Sequence, residues 1–369
     1  MKKKAIDVNG VSRRDFLKMA SVGVGAGAAM VAGLEKKANA DLKKLRLTFA
    51  CSPGDRVLSL MDGTVSVEGV DLNFIPLQVQ EVFWRQLRHM EFDASEISFS
   101  SYVLGVSEGD DRLVAIPAFT SRRFRHSCVY INTNKGIKKP EDLKGKTIGV
   151  AEYQMTAGLW LRGIFQHEYG VRPQDAKWRS GGEEMPGREE KLKIKLPPDI
   201  DYVPIPSDKT LSQMLDAGEI DALFTTGAPS PFRKGSPNVK RLWDNYSEVE
   251  AEYYKKTKIY PIMHAVVIKR SFYKENPWVA QSLYKALVQS KNICLENFKR
   301  EGYHALPWLN HEVERTKKIM GDDWWPYGID KNRATIEAVC QYSFEQGLAK
   351  RKVKIEELFA RETFDEFKI

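Results

Sequence analysis

Leu87-Arg88-His89-Met90-Glu91-Phe92-Asp93-Ala94 and Leu215-Asp216-Ala217-Gly218-Glu219-Ile220-Asp221-Ala222 share Leu, Glu, Asp and Ala at the same spacing. Upstream, Phe83, Leu87 and Met90 in the first copy and Leu211, Met214 and Leu215 in the second follow the i, i+3, i+4, i+7 pattern of an amphipathic helix. Downstream, residues 94–99 and 222–224 read as short buried strands. A helix-to-strand unit that occurs twice predicts two similar lobes, unless so short a match is fortuitous. Around it, strand-like runs at 45–50, 127–132 and 147–150 alternate with helical patterns at 82–90 and from 156 to Tyr169, which Gly170 ends. Such alternation is the mark of an α/β fold. The expected architecture is therefore two lobes with a ligand cleft between them. Lobe 1 is assigned to residues 41–130 plus 265–369 and lobe 2 to 131–264, because so long a chain exceeds what one core organises. From Phe272 onward the pattern turns helical, with Val279, Leu283, Ala286 and Leu287 on one stripe and Ile336, Val339, Cys340 and Phe344 on another. Both stripes are expected to pack on lobe 1.

The amino terminus carries a different signal. Ser12-Arg13-Arg14-Asp15-Phe16-Leu17-Lys18 matches a twin-arginine export signal, and residues 19–34 form a Gly/Ala-rich apolar stretch too short to span a bilayer permanently. Ala38-Asn39-Ala40 predicts cleavage before Asp41, so residues 1–40 read as a leader handled by the twin-arginine translocase and the mature protein as periplasmic. Removing the eight Lys/Arg and three Asp/Glu of that leader lowers the net charge from +8 to +3. The remaining charges are interspersed rather than striped, which argues against nucleic acid as a partner. No later segment is apolar for the length of a membrane span, so a soluble mature protein is expected. Cys51, Cys128, Cys294 and Cys340 are too irregularly spaced for a zinc ribbon or a CxxC pair, and no metal motif or cofactor site is expected. A disulfide is open to them in an oxidising compartment, as is burial as thiols, the reading favoured for Cys294 and Cys340.

Ligands of open α/β sheets gather beyond the carboxyl ends of the strands, and four places there offer chemistry. Ser98, Ser100, Ser101 and Tyr102 follow the strand at 94–99; their hydroxyls either orient a polar ligand or cap the next helix. No Gly-x-Ser-x-Gly elbow frames them, so a nucleophilic serine is not expected. Arg122, Arg123, Phe124, Arg125 and His126 precede the run at 127–132. If extended, Arg123 and Arg125 share one face and Arg122, Phe124 and His126 the other, giving either a carboxylate clamp or a solvated basic loop. Glu152, Tyr153, Gln154, Met155 and Thr156 lead into a helix whose free N–H groups suit an anion, with Tyr153 and Thr156 expected to face the cleft and Arg162 to pair with a surface acid. Thr225 and Thr226 follow the second copy's strand, and His264 opens an apolar run at 265–268 that returns to lobe 1. His264 reads either as a donor across the cleft or as a satisfied core histidine.

Four segments carry a family resemblance: Arg122-Arg123-Phe124-Arg125-His126-Ser127, the Asp142-Leu143-Lys144-Gly145-Lys146 run with its following strand, Gly218-Glu219-Ile220-Asp221-Ala222, and Pro261-Ile262-Met263-His264. Over most of its mature length the chain resembles the 4,5-dihydroxyphthalate decarboxylases and related solute-binding proteins, which share the type II periplasmic-binding-protein fold. The resemblance implies two functions. As a binding protein of an ABC-type uptake system, the chain would hold a small anionic, carboxylate-bearing solute, aromatic or aliphatic, through Arg123, Arg125, Tyr153 and Thr156. Ser98, Ser100 and Thr225 would orient it, and a membrane permease would receive it. As a decarboxylase it would need no cofactor, and His264 or His126 would protonate the ring carbon that loses its carboxyl group. The export leader favours binding, since the enzymes that consume such a product work in the cytoplasm. A regulator of this fold would carry a helix-turn-helix ahead of it, and that pattern is not found.

Overall fold

Short apolar strands and one-faced helices cannot bury themselves alone, so they pair into sheets and take helices as cover. In the computed structural model, which describes residues 44–364, this happens twice. The twin-arginine segment and the cleavage site lie outside the described residues. The chain enters through β1 (Leu45–Cys51), β2 (Val70–Pro76), α1 (Val79–His89), β3 (Ala94–Ser98), α2 (Phe99–Ser107) and β4 (Leu113–Arg122). It continues through β5 (Val129–Asn132), β6 (Thr147–Val150), α3 (Thr156–Tyr169), β7 (Lys177–Ser180), β8 (Asp201–Pro204), α4 (Leu211–Ala217), β9 (Ala222–Phe224), β10 (Val239–Arg241) and α5 (Tyr246–Thr257). It closes with β11 (Ile262–Lys269), α6 (Trp278–Phe298), α7 (Leu309–Met320) and α8 (Arg333–Glu345). One sheet has the order β2-β1-β3-β11-β4 and the other β10-β5-β9-β6-β7-β8. β1 runs parallel to β3, and β6 parallel to β7 and β9, while β11 returns antiparallel between β3 and β4. Among the described residues no helix is long and apolar enough to cross a membrane.

The twofold unit seen in the sequence has matching geometry in the two lobes. α1 ends at Met90 and α4 at Gly218, both in the left-handed region at φ 49° and 73°. That conformation suits glycine and strains methionine, so the first lobe keeps the turn against its residue's preference. Asp93 Oδ2 accepts the Thr48 N–H of β1 at 2.9 Å, and Asp221 Oδ2 accepts the Thr147 N–H of β6 at 2.7 Å. Each aspartate therefore ties its own strand to the parallel neighbour. Four residues beyond the paired alanines stand Ser98 and Thr226, which puts them at equivalent strand ends.

Two chain segments cross between the sheets side by side. Arg123 N donates to Pro261 O at 3.1 Å, Arg122 Nη2 donates to Tyr260 O at 2.8 Å, and the Phe124 and Tyr260 rings lie 4.6 Å apart. α6 covers the first sheet as its stripe predicts. α8 does more, reaching the second lobe: Tyr342 packs on Trp160 of α3, Gln346 Nε2 donates to Leu159 O at 2.9 Å, and Arg162 Nε donates to Gln346 Oε1 at 2.8 Å. Ile336, Val339 and Cys340 are buried, but Phe344 is 46% exposed, contrary to the expected stripe. Arg162 is not a surface residue either; its guanidinium lies 3.8 Å from the Tyr153 ring centroid, buried in the second lobe. All four cysteines are buried free thiols.

Candidate functional site

The strand ends of both sheets and the two crossing segments meet at a cavity of about 240 Å³, small beside the ~300–1,000 Å³ of drug-sized sites and suited to a single ring. β11 supplies its central residue. His264 pairs with Ser98 on β3 and with Ser121 on β4, and the β11–β4 register shifts on both sides of it. A bulge of this kind re-aims a side chain, and here His264 lines the cavity. The second lobe contributes Thr156 and Ala157 from the start of α3 and Thr226 after β9. Arg122, Arg123, Arg125 and Lys191 also line the cavity, and among the described residues no aspartate or glutamate does.

Behind His264 sits a carboxylate. Glu96 on β3 is almost wholly buried, with Oε1 accepting Ser52 N–H at 2.9 Å and Oε2 accepting the Thr120 hydroxyl at 3.0 Å. His264 Nδ1 lies 3.4 Å from Glu96 Oε2, and the imidazole stands edge-on to Phe83 at 4.9 Å. Burial alone would raise the Glu96 pKa, but His264 and the Ser52 N–H outweigh it and hold the carboxyl below its ordinary range. Glu96 is thus ionised beside the ring. Nδ1 is the ring nitrogen near that carboxylate, although it makes no hydrogen bond there, which leaves Nε2 as the imidazole nitrogen for a ligand.

The arginines divide by role. Arg125 is buried, yet its guanidinium finds only sulfur: Met263 Sδ at 2.6 and 3.1 Å and Cys128 Sγ at 3.8 Å. Among the described residues it makes no ion pair, and burial pushes its pKa down. A buried cation without an anion is expensive, and the cavity is where an anion can enter. Arg122 turns back into the first lobe, donating to Pro326 O and Tyr260 O at 2.8 Å each, with its pKa pushed down by burial to about 10. Arg123 Nη1 donates to Thr226 O at 2.8 Å and so ties a crossing segment to the second lobe. β4 ends at Arg122, so the alternation expected of an extended run is not carried by a strand.

Hydroxyls bridge the lobes directly. Ser98 Oγ and Thr156 Oγ1 are 2.9 Å apart, Ser100 N donates to Thr156 Oγ1 at 3.2 Å, and Ser101 Oγ lies 3.1 Å from both Ser98 Oγ and Gln154 Oε1. Ser98 heads α2 without capping it through its side chain. Ser100, Ser101 and Gln154 therefore stand behind the wall rather than in it. Thr225 donates its hydroxyl to Glu183. Glu152 is buried between Arg188 and Lys191.

Like Ser100, Ser101, Glu152, Gln154 and Thr225, two further expected site residues do not line the cavity. Tyr153 is turned into the second lobe's core against Trp178 and Tyr202, its hydroxyl donating to Gln346 O at 3.3 Å, and burial pushes its pKa up to about 12. His126 is packed between Trp243 and Tyr253, each 5.2 Å away, and burial pushes its pKa down to about 4. Aromatic packing wins over cleft exposure for both. Sequence reasoning missed Glu96 and Lys191. A lone acid inside the buried Ala94–Ser98 strand is a signal that could have found Glu96; Lys191 sits in a Lys/Glu-rich segment that reads as solvated.

Among solved structures the chain matches the periplasmic aliphatic sulphonate binding protein SsuA from Escherichia coli, with a TM-score of 0.51 and 13% identity over 87% of this chain and 99% of that one. The class is therefore the two-lobed periplasmic-binding-protein fold that the sequence leads one to expect. No family model matches. In sequence the chain is 37% identical over 330 residues to the 4,5-dihydroxyphthalate decarboxylase of Comamonas testosteroni, covering 89% of this chain and all of that protein. It is 40% identical over 214 residues to the enzyme of the same name from Pseudomonas putida, covering 58% of this chain and 83% of that one. The chain belongs to the 4,5-dihydroxyphthalate decarboxylase family.

Proposed function

We propose that the cavity takes an aromatic dicarboxylate bearing ring hydroxyls, of the 4,5-dihydroxyphthalate type, and removes one carboxyl group as carbon dioxide. The observation that carries this reading is the ionised, buried Glu96 behind His264, in a cavity whose described lining residues include four cations and no acid. An imidazole backed by a carboxylate is equipped to hold a proton and hand it on. Arg125, short of an anion, holds the carboxylate that stays. A ring oxygen para to the departing group pushes electrons toward the carboxyl-bearing carbon, which takes the proton from His264 Nε2. The bond to the carboxylate then breaks, its electron pair restores the aromatic ring, and carbon dioxide leaves. One proton is consumed, and nothing is oxidised or reduced.

A second reading has its own support. The Arg13-Arg14 segment suits export by the twin-arginine translocase, and a periplasmic protein of this fold can capture a carboxylate for an ABC permease without altering it. One experiment separates the two. Purified protein is incubated with 4,5-dihydroxyphthalate while dihydroxybenzoate and carbon dioxide are followed. Turnover is expected, with His264→Asn lowering kcat by roughly 10²–10⁴-fold and leaving the dissociation constant within a few-fold. Tight binding with the ligand recovered intact would establish capture instead of catalysis.

A further inference from the structure

A single cation explains one carboxylate of such a ligand and leaves the other without a partner. The segment between β7 and β8 offers a candidate. It has no helix or strand of its own from Gly181 to Ile200, yet it is tied down on both sides of Lys191. Glu190 accepts the Tyr153 N–H and the Tyr202 hydroxyl, and Leu192 O accepts Gln154 Nε2 at 3.1 Å. Arg188 reaches the first lobe, with Nη2 at 3.3 Å from Gln80 Oε1. Lys191 itself is 8% exposed and lines the cavity. Its ammonium sits 2.5 and 2.7 Å from the two oxygens of Glu152, while Arg188 donates to the same carboxylate at 2.6 and 2.8 Å.

Lys191 is thus fixed at the cavity wall by its own carboxylate. Glu152 is shared by two cations, with Glu190 the next carboxylate in the cluster, and an ammonium with three donors keeps one N–H after two are taken. A lysine side chain loses much rotamer freedom when fixed, so holding it through Glu152 and two flanking anchors prepays the entropy that a ligand contact would otherwise cost. Resting on the reading of the cavity as a site for an aromatic dicarboxylate, we infer that Lys191 is the specificity-determining cation for the ligand's second carboxylate, with Glu152 as its positioning residue. Arg125 and Lys191 arrive from different elements, one from a crossing segment and one from the 181–200 segment. The pocket thereby selects a dianion over a monoanion. Decarboxylation removes one of the two charges it reads, so the product is held less tightly than the substrate.

The test uses the full chain and two probes that lack ring hydroxyls, phthalate and benzoate, titrated calorimetrically. The wild type is expected to prefer phthalate. Lys191→Met should weaken phthalate roughly 10- to 100-fold, the range for a hydrogen bond to a charged group, and leave benzoate within about twofold, erasing the preference. Lys191→Arg should keep part of it. With 4,5-dihydroxyphthalate, Lys191→Met should raise KM much more than it lowers kcat, because a contact to a departing group is made in the ground state. Should Lys191→Met fail to fold around Glu152, the paired change Glu152→Gln with Lys191→Met removes both charges and carries the same expectation. An unchanged phthalate preference in a folded variant overturns the role of Lys191 alone. If the wild type binds neither probe, the reading of the cavity as an aromatic-carboxylate site falls with it.

Discussion

Replacing Arg125 with Met separates a ligand-binding cation from a structural one, because the two roles predict opposite signs for stability. In the ligand-free fold the guanidinium is buried and meets only Met263 and Cys128 sulfur. Sulfur is a weak acceptor, so most of the desolvation penalty of the charge, several kcal/mol for a buried ion, stands uncompensated. Methionine fills much of the same volume without the charge. Exchanges of buried ions for packed apolar groups are neutral or stabilising by about 1–4 kcal/mol. At roughly 2–4 °C per kcal/mol for domains of 150–250 residues, the ligand-free variant should melt at or several degrees above the wild type. With a carboxylate ligand the order reverses. Loss of a buried charge-assisted contact costs about 2–5 kcal/mol, or roughly 30- to several-thousand-fold in affinity. The ligand-induced rise in melting temperature should therefore vanish in the variant. Scanning calorimetry of both proteins, with and without phthalate, reads both signs in one experiment. A variant that is several kcal/mol less stable when empty but still stabilised by phthalate would refute the reasoning, since Arg125 would then be holding the fold and not the ligand.

Two further expectations concern the scaffold. His126 is held neutral between aromatic rings, with its pKa lowered by burial from 6.5 to about 4. Its contribution to stability is complete above pH 6.5 and is lost as the pH falls toward 4, where the unfolded chain carries the extra proton, by about 3 kcal/mol over the window. His126→Phe should flatten that part of the stability curve in urea titrations at pH 7 and 4.5 without altering phthalate affinity; parallel curves would contradict it. Gly163 on α3 faces Tyr342 of α8, and an added Cβ would lie 2.0 Å from the tyrosine Cδ2. Gly-to-Ala in a helix usually gains about 0.5–1 kcal/mol, but here Gly163→Ala should lose roughly 1–3 kcal/mol to overpacking. Adding Tyr342→Ala should recover part of the loss, and additive effects of the two changes would show that the contact does not limit packing.

The fold was legible in the chain because its signals are local. The two Leu-x-x-x-Glu-x-Asp-Ala units announce a helix end, a turn and a buried strand within eight residues, and their aspartates make the same bond to the neighbouring strand. Ser98 and Thr226 follow from that repetition, and both line the cavity. Arg123, Arg125, Thr156 and His264 line the cavity as well, in keeping with the rule that polar residues just past strand ends have few structural duties there. Tyr153 and His126 misled because an aromatic ring beside a cleft is as well suited to the core, and only tertiary packing decides between Trp178 or Trp243 and the ligand.

Glu96 and Lys191 were hidden for different reasons, and the difference says how this site is built. Glu96 violates its surroundings, a carboxylate in the fully buried run Ala-Ser-Glu-Ile-Ser, and such local violations are where a functional role is worth testing. Its partner arrives from β11, well over a hundred residues later in the chain, so no spacing in the sequence announces the pair. Lys191 violates nothing, since a lysine among lysines and glutamates is what a solvated segment contains. It becomes significant only once Glu152, Glu190 and Leu192 fold it inward. A charge becomes chemically useful here when other residues bear the cost of its burial, and for Glu96 and Lys191 those residues are distant in sequence. Ser52, Thr120 and His264 do this for Glu96, and Glu152 does it for Lys191. Arg125, among the described residues, makes no ion pair of its own and feels Glu250 only at a distance, which is why its replacement by Met is the sharpest test of the proposed site.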